Sequence, residues 1–402
     1  MLNLNSKYKF VILNNHSLLI ILVIIITMKV PLSKPWISKH DKSEIIKSLN
    51  KPQLTDGPTL RKFESKFCKI TKSKYAIGVS NGTQALQLSL QSIGIGKGDE
   101  VIIPDLTFIA TANAVLSTGA KPVLADIDNS LNISPISIKE KLSNRTKAII
   151  PVHFAGLSCD MKQITKISKE KNLSLIEDCA HSFGTYQDTK HVGTFGQTGC
   201  FSFYPTKNIT SIEGGMIITN SKKLAQKLYS LRNHGLTKNL IQRNKNTKPW
   251  EYDMFFPGYN FRLDEIRSTL GLSQLNRFKK LRSFRISAAK YYNKKLKNID
   301  GIEIVNLSHE KLHAYHLYII RITKDFPISR DQLHVNLFKK GIRTTVHYKP
   351  IHMFSYFQHD SNSTNFPNSI NAYNECLSLP LFPTITKKQQ DYVIQNILKF
   401  GK

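Results

Sequence analysis

Short apolar segments alternate with helical segments through residues 59–177, and this alternation constrains the fold more than any other feature of the chain. Strands are predicted at 75–79, 101–104, 122–126, 148–152 and 174–177, and helices at 59–70, 84–93, 108–117 and 161–171. Such alternation is typical of βαβ units and predicts an α/β fold with a mostly parallel sheet flanked by helices. Ligands bind beyond the carboxyl ends of such strands. The loops of interest therefore follow Val79, Ile103, Val152 and Glu177.

The pattern changes after residue 268. Long basic helices are predicted over 270–296, followed by strands at 301–305 and 314–322, a helix at 329–340, a strand near 343–348 and a last helix at 387–400. We therefore expect a large domain over 28–267 and a smaller C-terminal α+β domain over 268–402.

Residues 1–27 form an apolar leader with three possible interpretations. The unbroken apolar run 18–26 has about half of the roughly 20 residues that a spanning helix needs. Lys7 and Lys9 precede it, as in a signal peptide, but no clear cleavage site follows. Met28 opens a segment that resembles a natural start. The sequence favours an upstream start outside the working protein over a membrane anchor or a cleaved signal.

The composition is that of an ordinary globular protein. Of its 402 residues, 41% are hydrophobic and 21% charged, which permits a sizeable core. The five cysteines are odd in number and contain no C-x-x-C pair, so neither a disulfide framework nor a zinc site is predicted. This usage favours a reducing cytoplasm.

The formal charge of +29 is the most unusual bulk property. A nucleic-acid-binding protein would cluster its lysines and arginines, whereas here they are scattered and no nucleic-acid motif accompanies them. We therefore expect a solvated basic surface and no nucleic-acid partner. The positive field would also attract an anionic substrate.

Two residues point to one cofactor. Asp178 ends a predicted strand within Leu-Ile-Glu-Asp-Cys-Ala-His-Ser, and Lys207 lies in the aromatic, hydroxyl-bearing segment Cys-Phe-Ser-Phe-Tyr-Pro-Thr-Lys-Asn-Ile. Pyridoxal phosphate (PLP) needs a lysine for its Schiff base and an acid that keeps its ring nitrogen protonated. Taken singly, such an aspartate is more often a cap, and Lys207 is one of 57 basic residues.

Further motifs make the pattern specific. They lie, in order, at 80–86, 104–108, 178–215, 232–235, 258–263, 347–350 and 377–380. With them the chain resembles the DegT-type sugar aminotransferase family, within the PLP enzymes of fold type I (aspartate aminotransferase-like). The resemblance runs from Pro31 to Phe400 and implies that fold for this chain.

The resemblance implies the catalytic roles. Lys207 would hold PLP as a Schiff base and move the proton, Asp178 would pair with the pyridine nitrogen, and His181 would lie near the 3′ oxygen. A branch of the family has histidine in place of the lysine and performs dehydration. Lys207 argues against that branch.

It also implies the binding residues. Phe108 would stack on the ring, and Gly82, Thr83 and Ser202 would bind the phosphate. Asn260 would reach the phosphate of the neighbouring subunit, which implies a homodimer with shared active sites.

Two loops carry the remaining expectations. His347 and Tyr348 resemble the substrate-side loop of the family. Ile212 departs from the family pattern, which usually has glycine before Glu-Gly-Gly.

The function implied is transamination of a nucleotide-linked keto-sugar, with glutamate as the usual amino donor. The reaction has two halves, in which the donor first aminates the cofactor and the sugar then takes the amine. The alternative is a PLP-binding regulatory protein of the same fold without turnover. The identity of the sugar, its reacting carbon and its nucleotide cannot be read from the sequence.

Overall fold

The computed structural model describes residues 8–15, 18–25, 28–236, 248, 250–305, 313–358 and 366–401. The first two segments, described as backbone alone, are the antiparallel strands β1 (Tyr8–Asn15) and β2 (Leu18–Ile25). Among the described residues, no helix combines the length and apolar character needed to cross a membrane. The three interpretations of residues 1–27 stay predictions.

Helices and strands alternate through the following part of the chain, as the sequence predicted. They are α1 (Lys39–Leu49), α2 (Pro58–Thr71), β3 (Tyr75–Val79), α3 (Gly82–Ser92), β4 (Glu100–Pro104), α4 (Ala110–Leu116), β5 (Lys121–Ala125), α5 (Pro135–Glu140), β6 (Thr146–Ile149), α6 (Met161–Glu170) and β7 (Ser174–Asp178). Then come β8 (Tyr186–Gln187), β9 (Lys190–His191), β10 (Thr198–Ser202), β11 (Gly215–Thr219) and α7 (Lys222–Leu231).

The C-terminal part begins with two long helices. Its elements are α8 (Glu265–Asn276), α9 (Phe278–Leu296), β12 (Ile302–Ile304), β13 (Tyr318–Ile322), α10 (Arg330–Lys339), α11 (Pro367–Glu375), β14 (Cys376–Leu379) and α12 (Lys387–Leu398).

Seven strands form the central sheet, in the order β3-β11-β10-β7-β6-β4-β5. Strand β11 is antiparallel to both of its neighbours, and the other pairs are parallel. The prediction of a mostly parallel α/β sheet is therefore confirmed. Both faces of the sheet are covered, since Val101 and Ile103 pack in one core cluster and Ile102 packs in another.

The C-terminal elements build a second, smaller layer. Strands β12, β13 and β14 form an antiparallel sheet that packs with α9, α10 and α12 around Tyr292, Ile320 and Leu337. Val30 belongs to the same core and bridges Ile342, so the residues after 28 pack with this layer. The division at residues 267 and 268 stays a prediction.

One local prediction was wrong. The strand expected near 343–348 is a single bridge from Thr345 to Ser378, where pairing with a distant residue overrides the local pattern. The long basic helices expected over 270–296 are present as α8 and α9. They divide at Arg277, whose guanidinium binds the Trp36 carbonyl and Asp41.

Candidate active site

Asp178 lies at the carboxyl end of β7, in the middle of the central sheet. The side chain is 5% exposed. One oxygen accepts the Thr111 hydroxyl at 2.9 Å, and the other accepts the Ala180 N–H at 3.0 Å. Burial raises the pKa of Asp178, whereas these two donors and the charge of Lys207 lower it. The aspartate is thus held in one orientation in a site that favours a cationic partner.

Lys207 lies in the turn that follows the neighbouring strand, β10, where its N–H donates to the Tyr204 carbonyl at 2.9 Å. The side chain is half-buried. Burial lowers its pKa from 10.5 to about 8, and the negative charge of Asp178 opposes that shift. The structure therefore brings the two predicted catalytic residues together, and the amine is partly neutral near physiological pH.

His181 stands beside this pair in a group of aromatic side chains. Its Nε2 lies 3.1 Å from the Tyr348 hydroxyl, and its ring lies 4.3 Å from that of His316. Burial, together with the charge of Lys207, lowers the pKa of His181 well below its usual value. The buried Nδ1 of His181 has no hydrogen-bond partner within the described part of the chain.

The substrate-side residues approach from the C-terminal layer. Tyr348 contacts Phe108 with ring centroids 5.5 Å apart, and Phe108 is 54% exposed. The Nδ1 of His347 lies 2.8 Å from the Ser378 hydroxyl. Burial and the charge of Lys207 lower the pKa of His347 to about 4, so its ring is neutral at pH 7. Tyr348 therefore contacts Phe108, His347 and His181, and His347 lies close enough to Lys207 to feel its charge.

The predicted phosphate residues meet at the start of α3. Asn81 caps this helix by accepting the Gln84 N–H at 2.9 Å, and Thr83 is exposed in the first turn. A Cβ on Gly82 would lie 2.8 Å from the Cβ of Ser202, so only glycine allows this contact. The free N–H groups of a helix N-terminus bind anions such as phosphate.

Asn260 is placed differently from the other predicted residues. It is exposed and forms an isolated bridge with Asn233 on the chain that leaves α7. Its predicted role toward a neighbouring subunit is untested in this single chain.

Sequence reasoning missed several supporting residues. Thr111 donates a hydrogen bond to Asp178, and the ring of His316 contacts that of His181. Asp105 accepts the His352 N–H at 2.9 Å and pairs with its Nδ1 at 2.7 Å, which ties the loop carrying His347 and Tyr348 to the end of β4. Position in the matching 104–108 motif was the only sequence signal for Asp105.

One buried group has the composition of a metal site, namely His153, Glu177 and Cys179. The carboxylate of Glu177 already accepts three backbone N–H groups, from Gly193, Phe195 and Gly196. It also forms a hydrogen bond with the ring of His153. With its acceptor positions used in this way, Glu177 is a structural residue that fixes the loop after β9.

Three observations test whether these residues fit PLP. The amine of Lys207 and the carboxylate of Asp178 lie close enough to interact electrostatically, and they are the groups that the aldehyde and the ring nitrogen of the cofactor need. Within the described residues the Nδ1 of His181 lacks a partner, and Gly82 and Ser202 meet at a helix N-terminus, which can bind a phosphate. The residues fit the cofactor.

Comparisons with known proteins identify the family. The model of the DegT/DnrJ/EryC1/StrS aminotransferase family matches residues 35–398. The spore coat polysaccharide biosynthesis protein SpsC of Bacillus subtilis is 37% identical over 372 residues, which are 91% of this chain and 96% of that protein.

Solved structures show the same fold. Helicobacter pylori PseC, an aminotransferase involved in the biosynthesis of pseudoaminic acid, has a TM-score of 0.88 at 31% identity and covers 93% of this chain and 99% of its own. The PLP form of a proposed sugar aminotransferase from Streptococcus pneumoniae has a TM-score of 0.86 at 26% identity, with coverage of 93% and 99%.

The departure at Ile212 has a conformational cost. Ile212 has a φ of +70° and is 55% exposed. This left-handed conformation is natural for glycine and strained for a β-branched residue.

We predict that Ile212→Gly raises the free energy of unfolding by about 1 kcal/mol in urea titrations. The matched control is Ile136→Gly in helix α5, where the residue is 70% exposed and the change should cost about 1 kcal/mol. Equal destabilisation by both changes would contradict the interpretation.

The lowered pKa of Lys207 predicts how the cofactor-free protein captures PLP. Since only a neutral amine attacks an aldehyde, the capture rate should rise with pH and level off above about 8. Borohydride trapping followed by peptide mass spectrometry at Lys207 measures this rate.

The variant Asp178→Asn tests whether the pH dependence of that capture rate reflects the pKa of Lys207. It removes the negative charge that raises the pKa of Lys207, so the midpoint should move to lower pH. A midpoint near 10.5 in the unaltered protein would show that the pocket does not perturb this amine.

Proposed function

This chain belongs to the DegT/DnrJ/EryC1/StrS aminotransferase family and is a PLP-dependent aminotransferase, and we propose that it aminates a keto-sugar carried by a nucleotide, with glutamate as amino donor. The observation that carries the proposal is the pair of Lys207 and Asp178 at adjacent strand ends. The amine of Lys207, with a pKa of about 8, can alternate between neutral and protonated forms near pH 7.

The residues of this chain divide the work. PLP, when bound, supplies an electron sink for the carbon that gains or loses the amine. Asp178, oriented by Thr111, would hold the proton of the ring nitrogen. Lys207 would move a proton from the donor carbon to the cofactor in the first half-reaction and from the cofactor to the sugar carbon in the second. Phe108 would cover the ring and exclude water.

A sugar substrate is supported by the relatives. The Helicobacter pylori protein acts in the biosynthesis of pseudoaminic acid, and the Bacillus subtilis protein acts in that of a spore coat polysaccharide. A nucleotide carrier suits the formal charge of +29, since a positive field concentrates an anionic substrate. His347 and Tyr348, which flank Lys207 and His181, are proposed to contact the sugar.

A homodimer with shared active sites is proposed from the surface near Asn260. Trp250, Met254 and Phe255 are 68%, 56% and 75% exposed in the stretch that leads to Asn260. Large apolar side chains exposed so close together are typical of an interface. Location in the cytoplasm is proposed because the five cysteines are free thiols.

The alternative, a regulatory protein that binds PLP without turnover, differs in one measurable step. An aminotransferase converts bound PLP to its amine form with glutamate alone and releases 2-oxoglutarate, whereas a regulator does not. The intact pair of Lys207 and Asp178 favours turnover.

Lys207→Ala should abolish both the absorption band of the bound cofactor and 2-oxoglutarate release, because the variant lacks the amine that binds PLP and moves the proton. The assay is a panel of nucleotide-linked keto-sugars with glutamate, in which at least one sugar should be aminated. The control is Lys47→Ala, at an exposed helical lysine. Undiminished transamination by Lys207→Ala would refute the assignment.

Mixed dimers test the shared site. If Asn260 serves the partner's site, neither Lys207→Ala nor Asn260→Asp is active alone, yet a mixture that has exchanged subunits contains one intact site in each hybrid. Random exchange should restore about a quarter of the original activity. If Asn260 instead serves its own subunit, the mixture stays as inactive as its parents.

A further inference from the structure

Arg285 is a buried cation in the middle of α9. It is 2% exposed, and no carboxylate in the described part of the chain pairs with it. Burial lowers its pKa from 12.5 to about 10, which leaves the guanidinium charged at neutral pH. A buried charge without an ionic partner must be stabilised by dipoles around it.

Backbone carbonyls supply those dipoles from three separate segments. One terminal nitrogen of Arg285 donates to the carbonyls of Tyr315, His316 and Leu381 at 3.3, 3.2 and 3.3 Å. The other donates to the carbonyl of Thr206 at 3.3 Å. The peptide that leads into Lys207 is therefore bound to the same guanidinium as two loops of the C-terminal layer.

The residue after Lys207 is tied to the same loop. The Asn208 side chain is 7% exposed and donates to the carbonyls of Ala314 and Phe183 at 3.1 and 3.3 Å. The turn that carries Lys207 is thus fastened on both sides to residues 314–316, once through Arg285 and once through Asn208.

Residues 314–316 are themselves held against the large sheet. The Ala314 N–H donates to the Gly156 carbonyl at 2.9 Å, and the His316 N–H donates to the Ala155 carbonyl at 3.0 Å. A Cβ on Gly156 would lie 3.0 Å from the nitrogen of His316, so the two segments touch. The ring of His316 then contacts that of His181 in a tilted arrangement, with the centroids 4.3 Å apart.

We propose that Arg285 is a positioning residue that sets the place of the Lys207 amine relative to Asp178 and His181. This inference rests on the proposed role of Lys207. If Arg285 sets the position of that amine, the C-terminal layer takes part in positioning the catalytic residues. Burying a charge without an ionic partner costs folding free energy, so stability alone does not account for Arg285 at this place. The Nε of Arg285 also lacks a partner within the described residues. The main consequence of this arrangement is therefore the placement of the Lys207 turn.

The test compares Arg285→Lys and Arg285→Met with Arg330→Met in the full-length protein with bound cofactor. Arg330 is a matched control because it is 6% exposed in the same layer and donates to the Cys376 carbonyl at 2.9 Å. The first readout is hydrogen exchange of the peptide 203–212. The second is the pH midpoint of the absorption band of the bound cofactor.

Both Arg285 variants should exchange this peptide about tenfold faster, because the turn loses its tie at Thr206. Their midpoint should move by about half a pH unit or more, because the amine is displaced relative to Asp178. Arg330→Met should change neither readout. Lysine keeps the charge but cannot span four carbonyls, so Arg285→Lys decides the question if the methionine variant fails to fold.

Exchange and midpoint within error of the unaltered protein in Arg285→Lys would overturn the proposal. So would equal acceleration of this peptide by Arg330→Met, since the effect would then be general loosening. If the unaltered protein bound no PLP, the proposed function would fail, while hydrogen exchange would still report whether Arg285 holds the turn.

Discussion

The electrostatic interaction of a lysine amine with an aspartate carboxylate at the carboxyl ends of two adjacent strands is the one on which the site depends. Burial disfavours the charged form of both residues, and the charge of each favours the charged form of the other. Thr111, His181 and Tyr348 then fix the surroundings of the pair through hydrogen bonds and ring contacts.

Lys207 and Asp178 are held in place by the large sheet and the C-terminal layer, which are formed by different parts of the chain. Asp178 ends a strand in the centre of the sheet, where parallel neighbours fix its position. The loop carrying His347 and Tyr348 is anchored to the large sheet through Asp105 and His352. Arg285 and Asn208 fasten the turn of Lys207 to the C-terminal layer. A shift of the C-terminal layer relative to the large sheet would therefore move the residues of the site relative to one another.

Much of the fold followed from local patterns. The strand at 75–79 has the predicted bounds, and the helix at 161–171 is one residue shorter than predicted. These elements are read well because burial on both faces gives the strands continuous apolar runs and the helices an apolar stripe. The absence of a strand near 343–348 was not predicted, because pairing with a residue far away in sequence decides the conformation of that segment.

The sequence by itself determined the kind of chemistry. The order of motifs around Asp178 and Lys207 identified the cofactor and the family, because a Schiff-base lysine and a ring-nitrogen acid must occupy set places in this fold. The tertiary structure decided the state of those residues. Protonation depends on burial and on neighbours such as Thr111 and Ala180, and we propose that the place of the amine depends on Arg285. Most of these contacts join segments that are distant along the chain, so no local pattern contains them.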